Sequence, residues 1–178
     1  LNCGLIGEYQ VKNIPGVLAV ITHLQQKGFT ISTTHIQDGF FHVIRNTNLK
    51  GRWQILSETP LTICDVAHNP SGIAMVMKQI QKYPHNNLFI IFGMVSDKDA
   101  DAVFKLLPQH AKYYFCQPDI SRARKAEELY DIAQKFRLRG TIEPDVNHAI
   151  SKARNIATVD DLIFIGGSAF IVAEIEDL

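Results

Sequence analysis

The chain has 178 residues, 46% of them hydrophobic and 20% charged, with 18 Lys+Arg set against 18 Asp+Glu. That is enough apolar material for one domain with a real core and a small element beside it, whereas two full domains would be cramped. The balanced charge gives no field to attract nucleic acid or an anionic membrane, the longest apolar run (88–92, then Gly93-Met94-Val95) is far too short to span a bilayer, and no basic-then-apolar leader opens the chain.

These features predict a cytoplasmic protein without nucleic-acid or membrane partners. The cysteines Cys3, Cys64 and Cys116 are odd in number and form no C-x-x-C, and the seven histidines form no H-x-x-x-H, so neither a disulfide framework nor a metal site is expected. The start at Leu1, in mid-pattern, reads as a cut from something longer.

In chain order, Asn13 can cap a helix with Pro15 in its first turn; Val17, Leu18, Ile21 and Leu24 then recur at helical spacing, and Gly28 closes it. A second helix starts after Ser32 and carries Ile36, Phe40, Val43 and Ile44 on one side. Residues 46–51 form a polar break, so the expected division is 1–50, the helical end of another domain plus a linker, and 51–178. From Trp53 onward strand and helix alternate with short connections, the pattern of a parallel sheet wound with crossover helices. Strands are expected at 53–56, 61–66, 88–92, 113–116, 140–142 and 162–165, and helices at 70–83, 98–107, 125–136, 146–156 and 168–175. Runs such as 88–92 and 162–165 are continuously apolar, as strands are when helices cover both faces. The fold class is α/β, Rossmann-like, with a mostly parallel six-stranded sheet and helices on both faces.

Ligands of such a sheet bind beyond the carboxyl ends of its strands, and the loops there are unusually polar. They read Asp65-Val66-Ala67-His68-Asn69-Pro70, then Gly93 to Asp99 with Asp97-Lys98-Asp99, then Gln117 to Arg122, and last Gly166-Gly167-Ser168. An acid, an imidazole, a lysine and an arginine so gathered suit a zwitterionic or phosphorylated ligand. Each piece also has a plainer reading. Asn69-Pro70 is a good helix start, which leaves Asp65 and His68 unexplained, and a lone loop histidine is more often decoration than ligand. Asp97 and Asp99 favour a helix N-terminus while Lys98 opposes it, which singles Lys98 out. Gly166-Gly167-Ser168 suits a strand-to-helix turn with a serine cap as well as it suits an anion site, and the charges at 122–125 suit a solvated helix start.

Taken in order, the stretches Gly7-Glu8-Tyr9-Gln10-Val11-Lys12-Asn13, Gly51-Arg52-Trp53-Gln54, Asp65 to Pro70, Phe92-Gly93 with Asp97-Lys98-Asp99, Ser121-Arg122-Ala123 with Glu127-Glu128-Leu129, and Gly166-Gly167-Ser168 resemble the C-terminal part of the folylpolyglutamate synthase/dihydrofolate synthase branch of the Mur ligase superfamily. The resemblance covers essentially the whole chain; D-x-A-H-N-P after G-R-[FW] is its most specific part. It implies an ATP-dependent acid–amino-acid ligase that joins L-glutamate to dihydropteroate and/or folylpolyglutamate through an acyl phosphate. It also implies Mg2+ held mostly outside this chain, a missing N-terminal ATPase domain as partner, and a monomer.

By position in the motifs, the resemblance puts Asn13, with Gln10, near the adenine, Arg52 at the phosphates and Asp65 on the ribose. It puts His68 and Ser168 at the incoming glutamate and assigns Lys98, as the catalytic candidate, and Arg122 to glutamate or phosphate charge. Ser121 stands where the family often has Pro, which weakens the assignment of Arg122, and Val66 stands where small residues are common. No G-x-x-x-x-G-K-[ST] occurs in the 178 residues, so the chain alone is expected not to turn over. Segment 46–51 is the expected hinge, since closure protects an acyl phosphate from water.

Three rivals compete with this reading. A cell-wall precursor ligase would share fold and chemistry, but G-R-W-Q and S-R-A favour the folate branch. A nucleotide-binding oxidoreductase lacks its G-x-G-x-x-G after the first strand. A non-catalytic interaction module fits poorly with charges gathered at strand ends.

Overall fold

The computed structural model describes residues 1–178. Its centre is a six-stranded sheet in the order β1-β2-β6-β3-β4-β5, formed by Gln54–Glu58, Leu61–Asp65, Leu88–Phe92, Lys112–Phe115, Arg139–Ile142 and Leu162–Gly166 as β1 to β6. Only the β1–β2 hairpin, turned through a cis Thr59–Pro60 peptide, is antiparallel; the other four pairings are parallel. All five residues of β3 and of β6 are buried, which is why their sequences are apolar without alternation.

Helices cover both faces. On one lie α4 (Pro70–Ile80), α5 (Ala100–Phe104) and α6 (Ala126–Lys135), which bring Ile73, Val76, Val103, Phe104, Leu129 and Ala133 onto Ile63, Ile90, Phe92, Phe115 and Phe164. On the other, α7 (Val146–Ile156) and α8 (Ala169–Ala173) set Ala149, Ile150, Ala153, Ile171 and Val172 against Cys64, Phe89, Ile91 and Ile165. Sheet residues alternate between the two clusters, as the two-residue period of a strand requires. Side chains cap the helix starts: Asn69 receives Gly72 N–H, Asp99 receives Ala102 N–H, and Asp145 receives His148 N–H.

Residues 1–50 form α1 (Gln10–Gln26), α2 (Thr33–Phe41) and α3 (Val43–Thr47), with no buried residue in any of the three. Ser32 caps α2 through a reciprocal pair with His35, as the sequence suggests. Gly28 closes α1 at φ +93°, its N–H bonding Gln25 and that of Phe29 bonding Leu24, a Schellman end. Asn13, however, is not the cap. The helix begins three residues earlier, Pro15 lies inside it, and the Asn13 amide donates to Gln10 Oε1 at 2.9 Å.

The polar break is also narrower than the sequence suggests. Asn46 and Thr47 are helical, and Gly51 is locked at φ +67°, where a Cβ would come within 2.8 Å of both Val66 and Val172. Only 48–50 remains irregular. Helix α5 likewise covers five residues rather than ten, starting after its Asp99 cap and unwinding ahead of Pro108.

Candidate functional site

The parallel register lines up the strand ends in one row: Asp65 pairs with Gly166, Gly166 with Phe92, and Phe92 with Phe115. Adjacent strands lie about 4.8 Å apart, so the loops after β2, β6, β3 and β4 emerge along roughly 14 Å of one edge. The predicted site residues divide into two groups along that row.

The first group surrounds a cavity of about 380 Å³ lined by Tyr9, Lys12, Asn13, Arg52, Asp65, His68, Asn69, Ser71 and Met75, among others. It is large enough for a small molecule, and the chain walls it from three places: α1, the Gly51–Trp53 turn, and the β2–α4 connection. Four sequence candidates, Asn13, Arg52, Asp65 and His68, therefore share one hollow.

Asp65 is its anchor. Buried at 2% exposure, it accepts Tyr9 Oη–H and Trp53 N–H on Oδ2, each at 2.7 Å, and Ala67 N–H on Oδ1 at 2.8 Å. Burial raises its carboxyl above the usual range, and the three hydrogen bonds and the charge of Arg52 draw it only part of the way back. A carboxylate offers about four lone-pair sites, so a ligand hydroxyl still has one, on Oδ1. Tyr9 is the mirror image: burial and the carboxylate beside it push its phenol well above its ordinary value, so it remains a donor.

Trp53 reaches Asp65 through its backbone because it sits at φ +52°, an unusual conformation for a bulky residue, secured by complete burial of its ring and by Nε1–H donating to Tyr83 Oη at 3.3 Å. At the far side, His68 places Nδ1 2.9 Å from the Val66 carbonyl. A carbonyl can only accept, so Nδ1 carries the proton and Nε2 is free to face the hollow as an acceptor.

The second group lies after β3 and β4. Lys98 Nζ stands 3.4 Å from Asp97 Oδ2, and Arg122 lays its guanidinium 4.8 Å from the centre of the Phe170 ring. Burial acts upward on Asp97, but the hydrogen bond and charge of Lys98 and the charge of Arg122 outweigh it, leaving the carboxyl below its ordinary value. Asp97 thus joins Lys98 and Arg122 in one cluster.

Ser168 lies at the end of β6, apart from the hollow. It is 2% exposed, and its Oγ accepts Phe170 N–H at 3.2 Å as the N-cap of a five-residue helix, which leaves its O–H as a donor. Gly166-Gly167-Ser168 does form the strand-to-helix turn with a serine cap. Gly167 adopts φ +93° with Gly93 O only 2.5 Å from where a Cβ would be, so the turn is built for close passage of two strand ends.

Sequence reasoning did not assign three participants: Tyr9 and Trp53, which hold Asp65, and Arg124, which holds the Lys98 loop. Tyr9 and Trp53 sit inside quoted motifs, yet their partner is 56 and 12 positions away, and only the fold shows the pairing.

The family model described as Mur ligase, glutamate ligase domain, matches residues 51–169. Among curated proteins, the chain is 29% identical over 96% of its length to a probable bifunctional folylpolyglutamate synthase/dihydropteroate synthase of Haloferax volcanii, of which it spans 20%. It is 28% identical over 92% of its length to the dihydrofolate synthase/folylpolyglutamate synthase of Escherichia coli, of which it spans 37%. Among solved structures it superposes on E. coli FolC in complex with DHPP and ADP with TM-score 0.72 at 29% identity, covering 86% of this chain and 36% of that one. A bifunctional folylpolyglutamate synthase/dihydrofolate synthase with Mn, AMPPNP and L-glutamate bound gives TM-score 0.72 at 26% identity, again over 86% and 36%. A UDP-N-acetylmuramoyl-L-alanyl-D-glutamate--2,6-diaminopimelate ligase from Prochlorococcus marinus is 25% identical over 61% of the chain, which spans 22% of it.

Proposed function

The chain belongs to the Mur ligase family by its glutamate ligase domain, and on that premise we propose that it is the C-terminal part of an ATP-dependent ligase joining L-glutamate to dihydropteroate and/or folylpolyglutamate. In this reading ATP phosphorylates the pterin-linked carboxylate. The glutamate amine attacks the acyl phosphate, an amide C–N bond forms, and phosphate leaves with the C–O bond electrons while the amine gives up a proton. The observation that carries the reading is the hollow at the sheet edge, where Asn13, Arg52, Asp65 and His68 meet, in a chain most of whose curated matches are folate ligases.

The geometry supports the roles that the resemblance assigns. Asp65, with one lone pair free on a pre-set carboxylate, suits a ribose hydroxyl. Arg52 at the rim suits the phosphates, where a fixed charge stabilises the transferring phosphoryl group. His68, held by the Val66 carbonyl, presents a lone pair to the glutamate ammonium. Lys98 and Arg122, one strand end further along, suit glutamate carboxylate or phosphate charge.

No three His, Cys, Asp or Glu side chains come together as a metal site. The resemblance places the ligands of the reaction's Mg2+ mostly outside this chain, and no step here runs through it. The same reading makes 1–50 the end of the ATPase domain. In support, Val11, Val17 and Val20 on α1 stay 73%, 46% and 60% exposed, and an open apolar groove lies between α1 and α2. Closure then turns about 48–50, on either side of which α3 and the Gly51 turn are fixed. The match to a cell-wall ligase supports the alternative of a muramyl-type substrate.

The test is glutamate-dependent phosphate release by the full-length parent with Mg·ATP and either dihydropteroate or tetrahydrofolate. His68→Ala should raise the glutamate KM about tenfold through loss of one hydrogen bond to a charged group. Release with a cell-wall precursor and with neither pterin would replace the reading by its alternative.

A further inference from the structure

Two loops on the site edge are zipped together in a way the ligase reading does not use. Residues 94–98 follow β3 and residues 122–124 follow β4. Between them Arg124 N–H donates to the Met94 carbonyl at 3.0 Å, Ser96 N–H donates to the Arg122 carbonyl at 2.9 Å, and Val95 bridges Ala123. The Arg124 side chain closes the zipper. Its Nη2 donates to the Ser96 carbonyl at 2.8 Å and to the Lys98 carbonyl at 3.1 Å, gripping the backbone on both sides of Asp97, while Nη1 stands 3.7 Å from Glu128.

Resting on the ligase reading above, we propose that Arg124 is the positioning residue that sets the direction of Lys98 and Asp97 towards the reacting groups. A planar guanidinium can hold two carbonyls two residues apart in one orientation, and lysine, a single point charge on a flexible stem, cannot do so with equal definition. The grip fixes the loop at 96 and 98, so the intervening Asp97 and the projecting Lys98 have little freedom except in their own side chains. Arg122 is set by the same zipper, because its carbonyl is the acceptor for Ser96. Arg124 therefore acts on both charged candidates without itself being the exposed one. Its Nε–H is buried without an acceptor, a cost that a merely decorative arginine would relieve by turning to solvent. The sequence points instead to Arg122, whose guanidinium lies on Phe170 and holds no part of the loop.

The test has two arms. In the 178-residue chain, Arg124→Met should speed amide exchange at Ser96 and Lys98 about tenfold or more while the β3 amides keep their protection. Unchanged exchange at both positions would overturn the proposal. In the full-length parent, Arg124→Met should lower kcat about 10²-fold with the ATP KM little changed, and added guanidinium should restore part of the activity of Arg124→Ala. The double variant Lys98→Met/Arg124→Met should be no slower than Lys98→Met alone, because a residue acting through Lys98 has nothing left to position. Additive losses, or a fall in Tm without a kcat effect, would overturn the proposal with ligation intact. Absence of glutamate-dependent release in the unmutated parent would instead overturn the ligase reading on which it rests.

Discussion

Tyr9→Phe removes one hydroxyl and tests how the hollow is assembled. The lost bond is 2.7 Å long and ends on a carboxylate that keeps two backbone donors, so Asp65 is not left unpaired. Hydrogen bonds to charged groups contribute about 1.5–3 kcal/mol; with Tyr9 half-exposed and water able to replace it, the lower end applies, about 1.5 kcal/mol. Segment 6–9 is otherwise attached to α4 by Gln79, whose Oε1 accepts Glu8 N–H at 2.8 Å and whose Nε2 donates to the Ile6 carbonyl at 3.4 Å, and to the turn after it by the exposed Lys82–Glu8 pair, which contributes little. Local release of that segment should therefore become roughly tenfold more frequent, since about 1.4 kcal/mol is a factor of ten.

The assay is amide exchange at Glu8 and Trp53 at neutral pH, with the urea midpoint of the sheet as control. The effect should shrink in acid, because the bond is strong only to ionised Asp65. This carboxyl titrates above its ordinary value, so folding favours its protonated form, and its contribution to stability falls as pH rises from 3.8 through the raised folded value. Tyr9→Phe removes the foremost of the hydrogen bonds that hold that pKa down, and so widens the window. Unchanged exchange at Glu8, or an effect equally large when Asp65 is protonated, would refute the reasoning.

Other outcomes follow from the same structure. Asp161, 3% exposed, accepts from Asn87 N–H and Nδ2 and from Thr158 N–H and Oγ1, so Asp161→Asn, which turns one acceptor into a donor, should cost about 2–3 kcal/mol in urea denaturation. Burial opposes the lowering of its pKa and these bonds outweigh it, so its stabilisation is complete above pH 3.8 and lost as pH falls through the lower folded value; acid titration of wild type against variant checks this. Of the three thiols, Cys3 should react first with a maleimide at pH 8, because burial pushes Cys64 up to about 12 and Cys116 higher still; fast native labelling of either would contradict the packing. Gly167→Ala meets Gly93 O at 2.5 Å in a left-handed conformation and should lower stability by about 2–4 kcal/mol, read as a fall in Tm.

Much of this was readable in the chain itself. Strands β3 and β6 show as unbroken apolar runs because both their faces are covered, and α7 shows at its observed limits because Asp145 caps it and its apolar residues recur on one face. The start of α1 was not readable: Asn13 and Pro15 imitate a cap and first turn, yet the helix runs through the proline. Four ligand candidates do share a hollow because Arg52, Asp65 and His68 flank the β1–β2 hairpin and α1 brings Asn13 beside it. Ser168 lies outside that hollow, at the end of β6, where its capping role is the one the sequence already suggested. Arg124 was hidden for a different reason. Its value comes from two loops, 26 and 28 positions apart in sequence, meeting across neighbouring strands.

The position of β6 has a consequence for synthesis. Of the six strands, the last to leave the ribosome is the one that lies between β2 and β3, joined to both. Until it arrives, the nascent chain holds two unpaired hydrophobic edges, and the row that carries Asp65 on one side and the Lys98 loop on the other does not yet exist. The two groups of site residues are thus brought side by side in one late event, and a ribosome that stalls before β6 releases a chain with the hollow on one side, the Lys98 loop on the other and nothing to join them.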